Sequence, residues 1–253
     1  MRILLFFLLT TFYSSAQNIE SVKITSKPFR YEVFWGNDLS EKLYFSNRNS
    51  LYKVSKSDTL NYANNNFGKI SSVETFNMLQ TLVFYKENNA FVLLDSQFNE
   101  INSSIFSEIN CEFLKPVSQN ELWFYDSLSQ QIGLYNLNSK KIKFLSNPIK
   151  NISYSQSDYN YLYWIDTERN CFSISKFGKI ATLGKVNPYQ KTVFLNQNEL
   201  FYLYDNKIYY YTFENQLSQQ VNINEKLIEN FCYTDGFFSI FTNYQLSTFQ
   251  IKK

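Results

Sequence analysis

Apolar positions along the chain fall in short, aromatic-rich runs that each follow a turn-like stretch, polar in all but the second case. Six such runs stand out: Leu43-Tyr44-Phe45, Leu82-Val83-Phe84, Leu122-Trp123-Phe124, Leu162-Tyr163-Trp164, Leu200-Phe201-Tyr202 and Phe237-Phe238-Ser239. About ten residues after each comes a second apolar piece, such as Leu51 to Val54, Phe91 to Leu94 or Ile208 to Tyr211. Each pair predicts a hairpin. Two further short strands fit between one hairpin and the next run, for example Leu60 to Ala63 and Ser72 to Phe76, so each unit holds about four strands.

First residues of the six runs are 39, 40, 40, 38 and 37 positions apart. Four strands in about 40 residues is the size of a β-propeller blade, and six copies predict an all-β, six-bladed β-propeller. A large sandwich or barrel would show turn signals every 8 to 12 residues but gives no reason for a superposed period near 40. The whole chain after residue 16 resembles the broad group of six-bladed propellers containing NHL-repeat, TolB-like and gluconolactonase-like domains, and looks most like small exported propellers of Bacteroidota. It carries neither the Gly-His and Trp-Asp signature of WD40 blades nor the double glycine of kelch blades. The last unit has an inner strand at Ile228 to Tyr233 and a hairpin at Phe237 to Phe249, leaving no length for a fourth strand. Ile19 to Thr25 is the unassigned strand-like segment, so it is expected to complete the last blade and close the ring.

Composition sharpens the picture. Aromatics make up 19% of the 253 residues while glycine and proline number 6 and 4, which favours strands. A formal net charge of +2 with scattered Lys and Arg gives no footprint for nucleic acid. The absence of histidine excludes Ser-His-Asp and Cys-His catalysis and any imidazole-based zinc site. Cys111, Cys171 and Cys232 form no CxxC pair and read as core residues, leaving at least one thiol free in an exported chain.

Arg2, the apolar run Ile3 to Leu9 and the small residues Ser14-Ser15-Ala16 predict a secretory signal over residues 1–16, with a single propeller domain over 17–253. That run is too short to span a membrane, and no other stretch is long enough. A signal ending Ala-Gln and an Asn- and Tyr-rich composition resemble those of Bacteroidota. The expected location is therefore a bacterial periplasm or the cell exterior.

Four predicted inner strands carry a glutamate: Glu32, Glu74, Glu112 and Glu229; the matching places in blades four and five hold Ser153 and Lys191. Were the carboxylates to converge on the axis, they would form a ligand site able to recruit calcium, whereas Lys191 could neutralise them as an ion pair. Their offsets from the anchors differ by odd numbers in places, which would turn some side chains to the other face. Asp95, Asp126, Asp166 and Asp205 recur near the hairpins and read as turn residues. The repeated Phe-Gly-Lys-Ile, at 67–70 and 177–180, reads as a glycine-permitted turn into a strand.

The leading functional expectation is a non-enzymatic platform that binds a protein partner or ligand in the bacterial envelope. The rival is a lactonase- or esterase-like hydrolase with an axial divalent cation, as the resemblance to gluconolactonase-like propellers implies. A glycan-binding module, suggested by the aromatic and Asn abundance, is a third.

Overall fold

The computed structural model describes residues 18–75 and 79–252; the expected signal segment, Phe76 and the turn residue Asn77 lie outside the described residues. Among the described residues, strands account for nearly all of the regular structure, with one short 3-10 turn at Lys86–Asn88. Four sheets are separate and four-stranded, each running antiparallel from an innermost to an outermost strand in chain order. Their inner strands are Val33–Asn37, Ser72–Glu74, Cys111–Pro116 and Ile152–Ser157 (blades 1 to 4). The remaining strands form one eight-stranded sheet whose two four-stranded halves are blades 5 and 6, with inner strands Lys191–Phe194 and Asn230–Thr234.

Ile19–Pro28 joins those halves. It runs antiparallel to Gln245–Ile251, from Ser21 opposite Ile251 to Pro28 opposite Gln245, and thereby supplies the outermost strand of blade 6 as the sequence predicts. Its first residues also pair in parallel with the outer strand of blade 5, Ile19 opposite Val221 and Glu20 opposite Asn222. That second pairing was not expected, and it turns two blades into one continuous sheet.

The anchors are the second strand of each blade, and they are aromatic runs because that strand is sandwiched. In blade 4, Leu162 and Trp164 pack toward blade 3 while Tyr163 and Ile165 pack toward blade 5. A strand buried on both faces reads as a continuous apolar stretch without alternation. Six hydrophobic clusters result, one at each junction between neighbouring blades, and the sixth (Phe34, Phe45, Phe241 and Leu246) joins the last blade to the first. Outer strands such as Thr59–Ala63 alternate between half-buried and exposed positions. Of the aromatic side chains among the described residues, only Phe144, Tyr159, Phe177, Tyr204 and Tyr244 are exposed, so most of the aromatic excess packs in or beside the interfaces between blades.

Turn chemistry follows the sequence. Asp95, Asp126 and Asp166 each accept backbone amides of their own turn, as when Asp166 Oδ1 accepts from Glu168 N at 2.9 Å and Asn170 N at 2.8 Å. Asp205-Asn206 is a two-residue hairpin loop with φ of 47° and 61°, the backbone that a tight turn between right-twisted strands requires. Both glycines of the repeated tetrapeptide sit in turns at positive φ. Inner-strand bounds differ from the sequence reading by about two residues: the first spans Val33–Asn37 where Tyr31 to Trp35 was expected, and the last Asn230–Thr234 where Ile228 to Tyr233 was.

Candidate functional site on the axis

Neighbouring inner strands are tied to one another by side chains around the axis. Asn230 Nδ2 donates to the Phe34 carbonyl and the Cys232 thiol to Asn37 Oδ1 at 2.7 Å, linking blades 6 and 1. Thr75 Oγ1 donates to the Asn37 carbonyl at 3.4 Å, linking 1 and 2. Lys115 Nζ meets Glu74 Oε1 at 2.5 Å across blades 2 and 3. Ser157 Oγ donates to the Pro116 carbonyl at 2.8 Å. Gln156 then clasps the Phe194 backbone, donating to its carbonyl at 2.8 Å and accepting from its amide at 2.9 Å. The remaining junction, between blades 5 and 6, is where Lys191 faces Cys232, each perturbing the other's titration.

The four glutamates do not share this place. Only Glu74 joins the axial group, held by Lys115. Glu32 is exposed at the start of blade 1, its Oε2 accepting from Arg48 N at 3.1 Å. Glu112 is exposed and paired with Lys86 of the neighbouring blade's turn. Glu229 is exposed and accepts from Asn243 N at 2.9 Å. The expected convergence on Glu74 fails: Glu32 and Glu229 each immediately precede the first residue of their inner strands, Val33 and Asn230, where each accepts an amide of its own hairpin turn, and Glu112 sits in a bulge between Cys111 and Phe113. Ser153 is likewise turned to its own blade, donating to the Ile165 and Asp166 carbonyls at 3.0 and 3.1 Å.

Lys191 does lie on the axis, but without a carboxylate within ion-pair distance among the described residues; Glu74's partner is Lys115. Burial pushes the Lys191 ammonium down to about 8, with Cys232 opposing that shift, Lys115 reinforcing it and Glu74 opposing it. Burial raises the Cys232 thiol to about 11, and it raises the Tyr154 phenol as well, with Glu74 and Tyr189 adding to that shift. The group thus sets two lysines, Lys115 and Lys191, against one glutamate, Glu74. A divalent cation does not suit that donor set: calcium seeks several oxygen ligands, and here the single carboxylate is already neutralised with a second cation beside it. Among the described residues no three Cys, Asp or Glu side chains assemble into a metal-binding group.

Sequence reasoning missed Lys115, Tyr154, Gln156 and Asn37 as axial residues. A charged residue set inside an inner strand between Leu114 and Pro116 was the available signal for Lys115. Elsewhere, a dent of about 60 Å³ lined by Lys42, Lys53, Asp58 and Ser96 lies where blade 1 meets the hairpin turn of blade 2. Lys53 is buried there, donating to the Ser96 carbonyl at 3.2 Å and lying 5.5 Å from the Tyr44 ring. Its ammonium is satisfied by packing, and the space holds little more than water.

No family model and no curated protein matches the chain. Solved structures do resemble it. One is the WD40 β-propeller domain of Doa1, with 14% identity, a TM-score of 0.58 and coverage of 90% of this chain and 79% of that one. Another, from the Mitotic Checkpoint Complex, has 9% identity and a TM-score of 0.58 and covers 100% of this chain and 99% of that one. A third is a catalytically inactive histidine-to-alanine variant of virginiamycin B lyase from Staphylococcus aureus, solved with quinupristin, with 14% identity, a TM-score of 0.56 and coverage of 85% and 78%. Identities this low speak to fold alone. The chain is a β-propeller, by its own topology and by these likenesses.

Proposed function

We propose that the chain is an exported, non-enzymatic propeller that presents a rigid surface to a protein partner in the bacterial envelope. The observation that carries this reading is the construction of the ring: hydrophobic clusters fill all six junctions and side-chain bonds tie five of them at the axis. Such a body holds its surface loops in fixed relation at little entropic cost to binding. The chain's chemistry supports the same reading. It has no histidine, whereas the lyase of the same fold is described as inactive when a histidine is replaced. Burial holds all three thiols well above the ordinary range, away from nucleophilic use. Propellers of similar shape come from Doa1 and the Mitotic Checkpoint Complex, the latter a protein assembly, although that analogy rests on fold. Among the described residues, no three carboxylates or thiols assemble into the donor set that the lactonase-like alternative would use.

The test is capture from native envelope with immobilised residues 17–253, followed by titration of each reproducibly captured protein, purified, against the propeller. Saturable one-to-one binding supports the reading. Metal-dependent ester hydrolysis by the purified chain, or no saturable partner, overturns it.

A further inference from the structure

The outer halves of blades 3 and 4 hold no acidic residue. Between Asp126 and Asp158 the chain carries Lys140, Lys141, Lys143 and Lys150 but no Asp or Glu, and between Glu168 and Glu199 its charges are again all basic. Both outer strands, Ile142–Phe144 and Ile180–Lys185, fall within these stretches. The flanking edges differ, since Glu100 and Glu108 beside the outer strand of blade 2 and Glu214 beside that of blade 5 are exposed. A chain with a formal net charge of only +2 thus gathers its basic excess into one sector of the rim.

The two basic edges touch. Gly178 N donates to the Ser175 carbonyl at 2.8 Å, closing the turn that leads into the outer strand of blade 4, and a methyl group added to Gly178 would lie 3.3 Å from the Leu145 carbonyl of blade 3. That contact sets Lys176 and Lys179 of the turn beside Lys143 and Phe144, the residues just before Leu145. All four side chains are exposed, and among the described residues none of the three lysines makes an ion pair. Phe177, in the same turn, is 85% exposed, more than any other large apolar side chain described, and Phe144 and Ile180 are exposed near it. Its ring lies 5.5 Å from the Lys176 ammonium.

Unpaired like charges and protruding apolar groups on one edge call for a partner that is anionic and has an apolar layer beneath its charge. The basic residues on these two edges are lysines, with no arginine among them. Interfaces between proteins are depleted in lysine and enriched in arginine, whose planar fork pairs with carboxylates. Lysine acts as a hydrated point charge, suited to a diffuse field, while its stem lies along apolar surface.

We infer that the outer edge of blades 3 and 4 docks on an anionic lipid bilayer. Phe177 and Phe144 enter the boundary between headgroups and acyl chains, and Lys143, Lys176 and Lys179 sit among the lipid phosphates, with Lys140 and Lys141 adding to the field. Binding sums the burial of the apolar groups and the attraction of the lysines. This inference does not rest on the partner-binding reading above, since it occupies the rim of two blades and leaves the other four open.

The experiment is co-sedimentation of residues 17–253, which hold all the described strands, with vesicles of phosphatidylcholine alone and of phosphatidylcholine containing about one third phosphatidylglycerol. The expected result is saturable partition onto the anionic vesicles, at least about tenfold stronger than onto the neutral ones and weakened by salt. Lys176→Gln combined with Lys179→Gln should weaken it at least about tenfold, at roughly fivefold per lysine. Lys56→Gln combined with Lys226→Gln removes the same charge elsewhere and should change it by no more than about threefold. All four of these lysines are exposed, so both double variants should keep the thermal midpoint of the parent. Phe177→Trp should retain binding and shift its emission to the blue on anionic vesicles, which attraction between charges alone would not produce. No saturable partition, equal partition onto the two kinds of vesicle, or equal loss in the two double variants would overturn the proposal. So would binding of polyglutamate without binding of anionic vesicles, which would assign the edge to an acidic protein.

Discussion

Lys115 and Glu74 form an ion pair at 2.5 Å between the inner strands of blades 2 and 3, with side chains only 13% and 16% exposed. Removing one member leaves the other charged in a poorly solvated place. Lys115→Met should therefore cost about 1–3 kcal/mol in urea unfolding, and the double change with Glu74→Gln should recover most of it. A double variant no more stable than Lys115→Met would show that the pair is not what the site depends on.

Ring closure depends on Ile19–Pro28, which hydrogen-bonds the last strand along its whole length and anchors itself to the loop before blade 6 through Lys23 Nζ and Glu225 Oε1 at 2.6 Å. Deleting residues 17–28 should lower the thermal midpoint of the entire domain in a single transition. It should also speed aggregation, seen by light scattering, because Gln245–Ile251 becomes an unprotected edge. A truncated chain that melts like the parent would refute this account of closure.

Gly133 and Gly236 separate two reasons for a glycine. A methyl group on Gly133 would lie 2.4 Å from Phe124 Cζ and 2.7 Å from the Lys143 carbonyl, so Gly133→Ala should destabilise by about 1–3 kcal/mol through overpacking. Gly236 meets nothing within 4 Å but holds φ at 86°, so alanine there should cost about 1 kcal/mol from backbone strain alone. Denaturant midpoints of the two variants should fall in that order.

The folded-state value of about 8 for Lys191 lies below its ordinary 10.5. Between these values the unfolded chain holds the extra proton, so the contribution of this residue to stability rises with pH across that window. Cys232 acts oppositely, since its rise from 9.0 to about 11 gives stability that is present below pH 9 and lost as pH climbs through 11. Comparison with Lys191→Met isolates the lysine. The variant should be more stable than the parent at pH 7, by on the order of 2 kcal/mol, with the gap closing toward pH 10. A gap independent of pH would contradict the assignment.

The anchors and their spacing were legible because each second strand is packed on both faces, which turns a stretch such as Leu162-Tyr163-Trp164 into an unbroken apolar signal. Ring closure was legible because Ile19 onward was a strand without a partner. The axial site was not legible. Whether Glu112 faces the opening depends on a bulge between Cys111 and Phe113, and nothing in the sequence around it announces one. Lys115 and Lys191, the two lysines that set the charge of the axis, stand on different blades, and their proximity exists only once all six blades are in place. The link between blades 5 and 6 escaped notice for a related reason, since Ile19 opposite Val221 is a two-residue parallel contact that leaves no periodic trace.

The strand that closes the ring is the first of the described strands to be made, and its partner Gln245–Ile251 is the last. Throughout synthesis, Ile19–Pro28 has nothing to pair with, and neither of its two seams can form until outer strands more than a hundred residues downstream have emerged. Blades 1 to 5 can assemble side by side as they appear, each meeting its predecessor through local contacts, but the circle stays open until the chain is complete. A nascent chain is thus held in an open arc, and the strand Ile19–Pro28 becomes part of the fold only after Gln245–Ile251 arrives.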